Sequence, residues 1–430
     1  MNQLENSWAG YLSLVAFVVA YALIIFEAKI HLRKSKPVVF IGCLIWIFIA
    51  IFERSNGTVH AEEHIRRLIG EIGELFFFLV VAMTYINTLQ ERLVFDSLRA
   101  WLIRRGFGYR TLFWVTGIIT FFLSSVADNL TSALVIATVV HAVGGTNKRF
   151  IVPAFINVIV ASNAGGAWTP IGDITSIMVW TAGKVGSLQF LSLFIPSIIS
   201  WLIPAAIMSP FIPKNKPEGR NEIINMKPGA KRIIFLGFAT ITLAISLHQF
   251  LQIPPVIGMM MGLALLMFMG FHLKKQDKAM NVPQDSQFNI FGEMERVEFD
   301  TLLFFFGIMS AIGGLSYIGY LTTLSHFLYG VMGPTFSNTA IGVMSAVIDN
   351  IPLMYGVIQM NPPMGIDQWL LVTFAAGTGG SMLSIGSAAG VAVMGIRRDL
   401  YTFKEHLKWT PAIALGYFAG IGCWWLITHW

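Results

Sequence analysis

Apolar runs of roughly 17 to 25 residues, long enough to cross about 30 Å of hydrocarbon as helices, recur from the first residues of the chain to the last. Ten are read as crossings: 11–27, 37–52, 70–90, 151–184, 188–212, 233–251, 254–272, 301–320, 369–396 and 411–430. Two of these, 151–184 and 369–396, are too long and too rich in glycine and polar residues for one plain helix. Two further apolar stretches, 111–143 and 336–360, are interrupted at their middles by Asp128-Asn129 and Asp349-Asn350. The expected fold class is all-α polytopic.

Basic residues decide what the interrupted stretches do, because cytoplasmic loops of membrane proteins collect Lys and Arg. If each stretch enters and leaves on one side as a re-entrant helical hairpin, the loops 29–36, 91–110, 144–150, 213–232, 273–300 and 397–410 share a side. They then hold every Lys and Arg except Arg54, Arg66, Arg67 and Lys184. Spanning stretches would split that set, so the hairpin reading is preferred, and it puts both termini in the periplasm.

The same order of pieces occurs twice. Residues 1–212 contain five crossings with the hairpin 111–143 and a broken helix; residues 213–232 form a cytoplasmic linker; residues 233–430 contain five crossings with the hairpin 336–360 and a second broken helix. Ser124-x-x-x-Asp128-Asn129 matches Ser345-x-x-x-Asp349-Asn350, and Gly165-Gly166 with Gly172 matches Gly379-Gly380 with Gly386. Five is odd, so the second half is expected upside down relative to the first: two inverted-topology repeats, the arrangement in which secondary transporters bind substrate between discontinuous helices.

Composition agrees, with 55% hydrophobic and 12% charged residues and a mean hydropathy of +0.68. The pI near 9.3 reads as topology, because the charge sits in short loops, and no nucleic-acid partner is implied. Cys43 and Cys423 fall inside apolar runs and read as small buried hydrophobes. His60-Ala61-Glu62-Glu63-His64 has a metalloprotease-like spacing, but no further ligand is near. With no intramembrane His-Glu cluster, nucleophile-base pair or phosphate loop, the chain does not read as an enzyme and calls for no cofactor.

An ionised side chain in the bilayer core costs at least about 2.5–3.5 kcal/mol, so such residues bind, pair or relay. Asp128 and Asp349 have no Lys or Arg within ten residues on either side. A monovalent cation or a proton would satisfy either carboxylate, and Asn129 and Asn350 add the hard oxygen donors that sodium prefers. Helix capping is the plainer alternative for both Asp residues. The broken helices bring a second polar set: Ser162, Asn163, Thr169, Asp173, Thr175 and Ser176, then Thr378, Ser381, Ser384 and Ser387. Thr131 offers a hydroxyl beside the first Asp-Asn pair. Glu74 and Asp300, each ahead of an FFF triplet and read as lying near helix starts, are possible accessories.

At these residues the chain resembles the NhaD-type sodium/proton antiporters of the ion transporter superfamily, whose other members include dicarboxylate and arsenite carriers. The resemblance rests on SSVADNLTSAL (124–134), SNAGGAWTPIGDITS (162–176), SAVIDNIPLMYG (345–356) and GTGGSMLSIGSAAGVAVMG (377–395). Carboxylate-carrying relatives have a Ser-Asn-Thr signature at the hairpin tips, where this chain has Asp128-Asn129-Leu130-Thr131 and Asp349-Asn350-Ile351-Pro352. An acidic tip repels an anion and attracts a cation. The resemblance implies that Asp128, Asn129, Asn163, Asp173 and Thr175 with Ser345, Asp349, Asn350, Ser384 and Ser387 form or support the transport site. It also implies exchange of sodium, and of lithium, for protons across a bacterial inner membrane, a homodimer, and movement of a hairpin-bearing domain against a scaffold. An arsenite or carboxylate permease is the alternative within the superfamily.

Overall fold

The computed structural model describes residues 2–25, 30, 32–58, 60–216, 223–279 and 287–429. Parts of three expected basic loops (29–36, 213–232 and 273–300) and the final residue of the last crossing lie outside the described residues. The principal helices in chain order are α1 (Trp8–Ile25), α2 (Ser35–Ser55), α3 (Ala61–Glu91), α4 (Val94–Arg104), α5 (Tyr109–Ser124), α6 (Asn129–Gly144), α7 (Lys148–Ala167), α8 (Ile174–Thr181) and α9 (Phe194–Met208). They continue with α10 (Ala230–Leu251), α11 (Pro255–Ala279), α12 (Phe299–Ile318), α13 (Pro334–Met344), α14 (Asn350–Met360), α15 (Ile366–Gly379), α16 (Ala388–Ile396), α17 (Phe403–Leu407) and α18 (Thr410–His429). No strand occurs among the described residues. Among the described residues eight helices are long and apolar enough to cross a membrane, so the protein is a multi-pass, all-helical membrane protein. Both glycine-rich runs are broken, as α7/α8 and α15/α16, and both Asp-Asn stretches divide into helix pairs, α5/α6 and α13/α14.

Contacts divide the chain into two units, each drawing on both halves of the sequence: residues 1–80, 297–337 and 354–363, and residues 81–296, 338–353 and 364–430. In the first unit, α2 packs on α12 so closely that a Cβ on Gly42 would lie 2.6 Å from the Gly307 carbonyl. The Trp46 indole N–H donates to Ser310 O at 3.0 Å across the same crossing. Glu53, buried near the end of α2, accepts the N–H groups of His60 and Ala61 (2.9 and 2.8 Å) and the Tyr317 hydroxyl. This satisfies donors that the start of α3 would otherwise leave open and lets α3 begin at Ala61, nine residues before the apolar run. Glu74 therefore sits in the helix interior, which corrects its expected place near a helix start. Cys43 is also corrected: it is exposed on α2 and not buried.

In the second unit α7 is enclosed, with every residue from Phe150 to Ala167 buried, which explains an apolar pattern that runs all round the helix. Its polar Asn157 is satisfied twice, donating to Phe113 O (2.7 Å) and accepting from the Trp201 indole (2.8 Å). Tyr85 ties α3 to the α10/α11 pair, its hydroxyl donating to Gly262 O at 2.7 Å and accepting from Thr240 at 2.8 Å.

Candidate functional site

The first Asp-Asn tip is built by a helix break. α5 stops at Ser124, and Asp128, with φ −44° and ψ 159°, caps α6. Its carboxylate accepts the Thr131 N–H at 3.0 Å and the Thr131 hydroxyl at 2.7 Å, so the capping role is real and both oxygens are engaged. At the second tip Asp349 accepts the Ile351 N–H at 3.3 Å, and Pro352 has no hydroxyl to repeat what Thr131 does.

Matched ties hold both tips against the broken helices. Ser124 donates to Ser162 O (2.6 Å), and Ser345 to Ala376 O (2.8 Å). A Cβ on Gly165 would lie 2.2 Å from Phe121 O and one on Gly379 1.9 Å from Gly342 O, so only glycine fits at either crossing. The expected site residue Ser345 serves this framework as a backbone tie, as does the possible accessory Thr169, which donates to Ser125 O at 2.7 Å, while Thr378, the other possible accessory, donates within its own helix to Phe374 O at 2.6 Å. Ser384 is buried against the Met394 sulfur at 3.8 Å.

Within this unit two polar groups each join residues from both halves of the chain. Asn129 donates to Asn163 Oδ1 (3.2 Å), and Asn163 Nδ2 donates to Ser381 Oγ (2.9 Å) and Ser387 Oγ (3.1 Å). Asn350 Nδ2 donates to Asp173 Oδ2 at 3.3 Å, and the Asp349 carboxylate acts electrostatically on Asp173. Asp173 and Ser387 occupy matching places as caps of α8 and α16. Asp173 is 1% exposed and Thr175 is fully buried. The Thr175 N–H also donates to Asp173, at a long 3.4 Å, and the Thr175 hydroxyl lies beside the same carboxylate. Gly377 completes the wall, since a Cβ there would lie 3.1 Å from Asp173 Oδ2.

No Lys or Arg forms an ion pair with Asp128 or Asp173 among the described residues. An ion buried without a partner costs several kcal/mol. Asp128 offsets that through bonds of 3.0 and 2.7 Å from Thr131, whereas those from Asn350 and Thr175 N–H to Asp173 are longer, at 3.3 and 3.4 Å. Asp173 is thus held less tightly than Asp128. Glu74 and Asp300 belong to the first unit, where Asp300 accepts the Ser35 hydroxyl.

Sequence reasoning missed two buried residues at the edge of this cluster, Tyr401 and His406 in the polar segment after α16. Their only signal was an aromatic just ahead of a short Thr-capped helix, α17, and a histidine within it.

Interrupted helices that meet at an acidic and amide-lined cluster inside an otherwise apolar helical body define a membrane transporter rather than an enzyme. The citrate transporter family model (CitMHS) matches residues 12–379. The chain is 46% identical to the Na(+)/H(+) antiporter NhaD of Vibrio cholerae, over 99% of this chain and 93% of that protein. It is 47% identical to the Na(+)/H(+) antiporter NhaD of Alkalimonas amylolytica, over 97% and 90%, and 32% identical to sodium/proton antiporter 1 of Arabidopsis thaliana, over 97% and 73%. The chain belongs to the NhaD-type sodium/proton antiporters within the family described by that citrate-transporter model.

Proposed function

We propose that the protein exchanges sodium, and lithium, for protons across the bacterial inner membrane by alternating access, the cation and the proton competing for buried carboxylates. The observation that carries this is Asp173: a carboxylate 1% exposed, with long hydrogen bonds from Asn350 and from Thr175 N–H, no ion pair with Lys or Arg among the described residues, and the Thr175 hydroxyl beside it. A small cation that gains Asp173, Thr175 and the amide oxygen of Asn350 as ligands removes the unpaired charge; a proton removes it equally well. Asp128, Asn129, Asn163 and Asp349 complete the cation's surroundings, and Ser345, Ser384 and Ser387 support them. Occupancy by one species excludes the other, so exchange needs no further coupling device. The acidic tips and the names of the near relatives both weigh against an anion cargo, despite the citrate label of the family model.

The matched ties of Ser124 and Ser345, and of Gly165 and Gly379, support two inverted repeats with re-entrant hairpins. With the basic loops cytoplasmic, both termini lie in the periplasm. The family resemblance supports a homodimer and the movement of a hairpin-bearing domain, with Glu74 and Asp300 in accessory roles. The test is dye-reported proton release in everted vesicles on adding sodium, lithium or potassium chloride. Sodium and lithium are expected to release protons in a saturable way; no response to any cation would defeat the proposal.

A further inference from the structure

The helix break between α15 and α16 leaves backbone carbonyls without helical partners, and such groups are costly when buried. Two consecutive ones are taken by side chains from the segment that follows α16. His406 Nε2 lies 2.9 Å from Ser381 O, and the Thr410 hydroxyl donates to Met382 O at 2.7 Å. A carbonyl only accepts, so Nε2 carries the hydrogen. Nδ1 then holds a lone pair and accepts the Tyr401 hydroxyl. His406 and Tyr401 are both fully buried, and Tyr401 is itself wedged edge-on against Phe155 of α7, ring centroids 5.7 Å apart.

Ser381 belongs to the polar group around Asn163, which the proposed function places in the cation's surroundings: its hydroxyl accepts from Asn163 Nδ2, which also reaches Ser387, and Asn163 Oδ1 accepts from Asn129. The His406 bond therefore fixes the peptide from which the Ser381 hydroxyl projects towards Asn163. The corresponding place in the first broken helix is Ala167, which has no side-chain donor or acceptor of this kind.

We infer that His406 is a positioning residue for cation binding, its tautomer locked by Tyr401, which holds the Ser381 carbonyl away from the cation and its hydroxyl on Asn163. Two consequences follow. The cation draws its ligands from side chains around Asp173 and not from the Ser381 or Met382 carbonyls. The role also needs a neutral imidazole, and burial pushes His406 down to about 4, so it stays neutral at the pH values where exchange would run.

This inference rests on sodium/proton exchange, so the test measures wild-type protein beside the variants, in proteoliposomes by sodium-driven proton release and in detergent by the shift in melting temperature on adding sodium chloride. His406→Ala leaves a buried carbonyl open. It should raise the half-saturating sodium concentration about tenfold in both assays, with the maximal rate per folded protein within about twofold of wild type. His406→Gln keeps an N–H donor and should recover most of that loss, and Tyr401→Phe, which frees the tautomer, should fall between the two. Unchanged sodium half-saturation in His406→Ala and His406→Gln would overturn the positioning role. So would a fall in maximal rate that only follows the loss of folded protein. Wild-type protein silent in both assays would defeat the exchange reading itself, and the positioning role with it.

Discussion

Two glycines two residues apart on α15 are expected to fail in opposite ways when given the same methyl group. At Gly377 a Cβ would have one close neighbour, Asp173 Oδ2 at 3.1 Å, with the Ala167 Cβ and the Thr175 hydroxyl both at 3.9 Å. The methyl thus crowds the carboxylate by a few tenths of an ångström, while alanine favours the helix by about 1 kcal/mol over glycine. Gly377→Ala should therefore fold at least as stably as wild type, yet bind sodium about tenfold more weakly, or about 1.4 kcal/mol, because the carboxylate can no longer close on the ion. At Gly379 the same Cβ would lie 1.9 Å from the backbone oxygen of Gly342. Neither backbone can yield there without separating α15 from α13, so Gly379→Ala should lose about 3 kcal/mol or more to overpacking. Fluorescence-detected size exclusion after graded heating reads stability, and sodium titration of proton release reads affinity. Gly377→Ala that precipitates with Gly379→Ala, or that binds sodium as wild type does, would refute the placement of Gly377 against Asp173. A normally stable Gly379→Ala would refute the close crossing of α15 and α13.

Tyr85→Phe removes one hydroxyl that serves both Gly262 O and Thr240; it should destabilise the purified protein by about 1–3 kcal/mol, read as a lower melting temperature with sodium affinity unchanged. Acidification should lower stability through His406, whose folded value of about 4 lies below its ordinary 6.5. The unfolded chain takes up the proton first, so stability falls as the pH drops from about 6.5 towards 4, by up to roughly 3 kcal/mol. His406→Gln should show a visibly flatter melting-temperature profile over that interval, and equal slopes would reject the buried neutral imidazole.

Much of the fold was legible because lipid imposes a simple rule: a spanning segment must be helical and apolar for a fixed length. That rule, with glycine and proline as breakers, placed eight of the ten expected crossings on long apolar helices among the described residues, and it gave the division of the Asp-Asn stretches and a break at or just after each glycine pair. It failed where a helix outruns its apolar part, as in α3. Glu62–Arg66 and Glu63–Arg67 pairs line its exposed first turns (2.7 and 2.8 Å), and Glu53 caps it from another helix, a contact that no local pattern announces. Asp128, Asp173, Asn163 and Thr175 stood out as polar residues at apolar depth. Hydropathy does not distinguish an acid held by short bonds, as Asp128 is by Thr131, from one held by longer ones, as Asp173 is. That difference lies in distances of a few tenths of an ångström between residues far apart in sequence. His406 was hidden for the opposite reason: it lies among Lys404, Glu405 and Lys408, and a charged segment reads as a solvated loop even when one of its members turns inward.

The exchange mechanism stands or falls on Asp173, and Asp173→Asn keeps its shape while removing its charge. Sodium binding to the purified variant should be followed by the melting-temperature shift, alongside proton release in proteoliposomes at matched protein content. The expected result is a monodisperse protein that melts normally, gains no stability from sodium and releases no protons. Sodium-dependent proton release with wild-type half-saturation from that variant would show that the exchanged ion is held elsewhere.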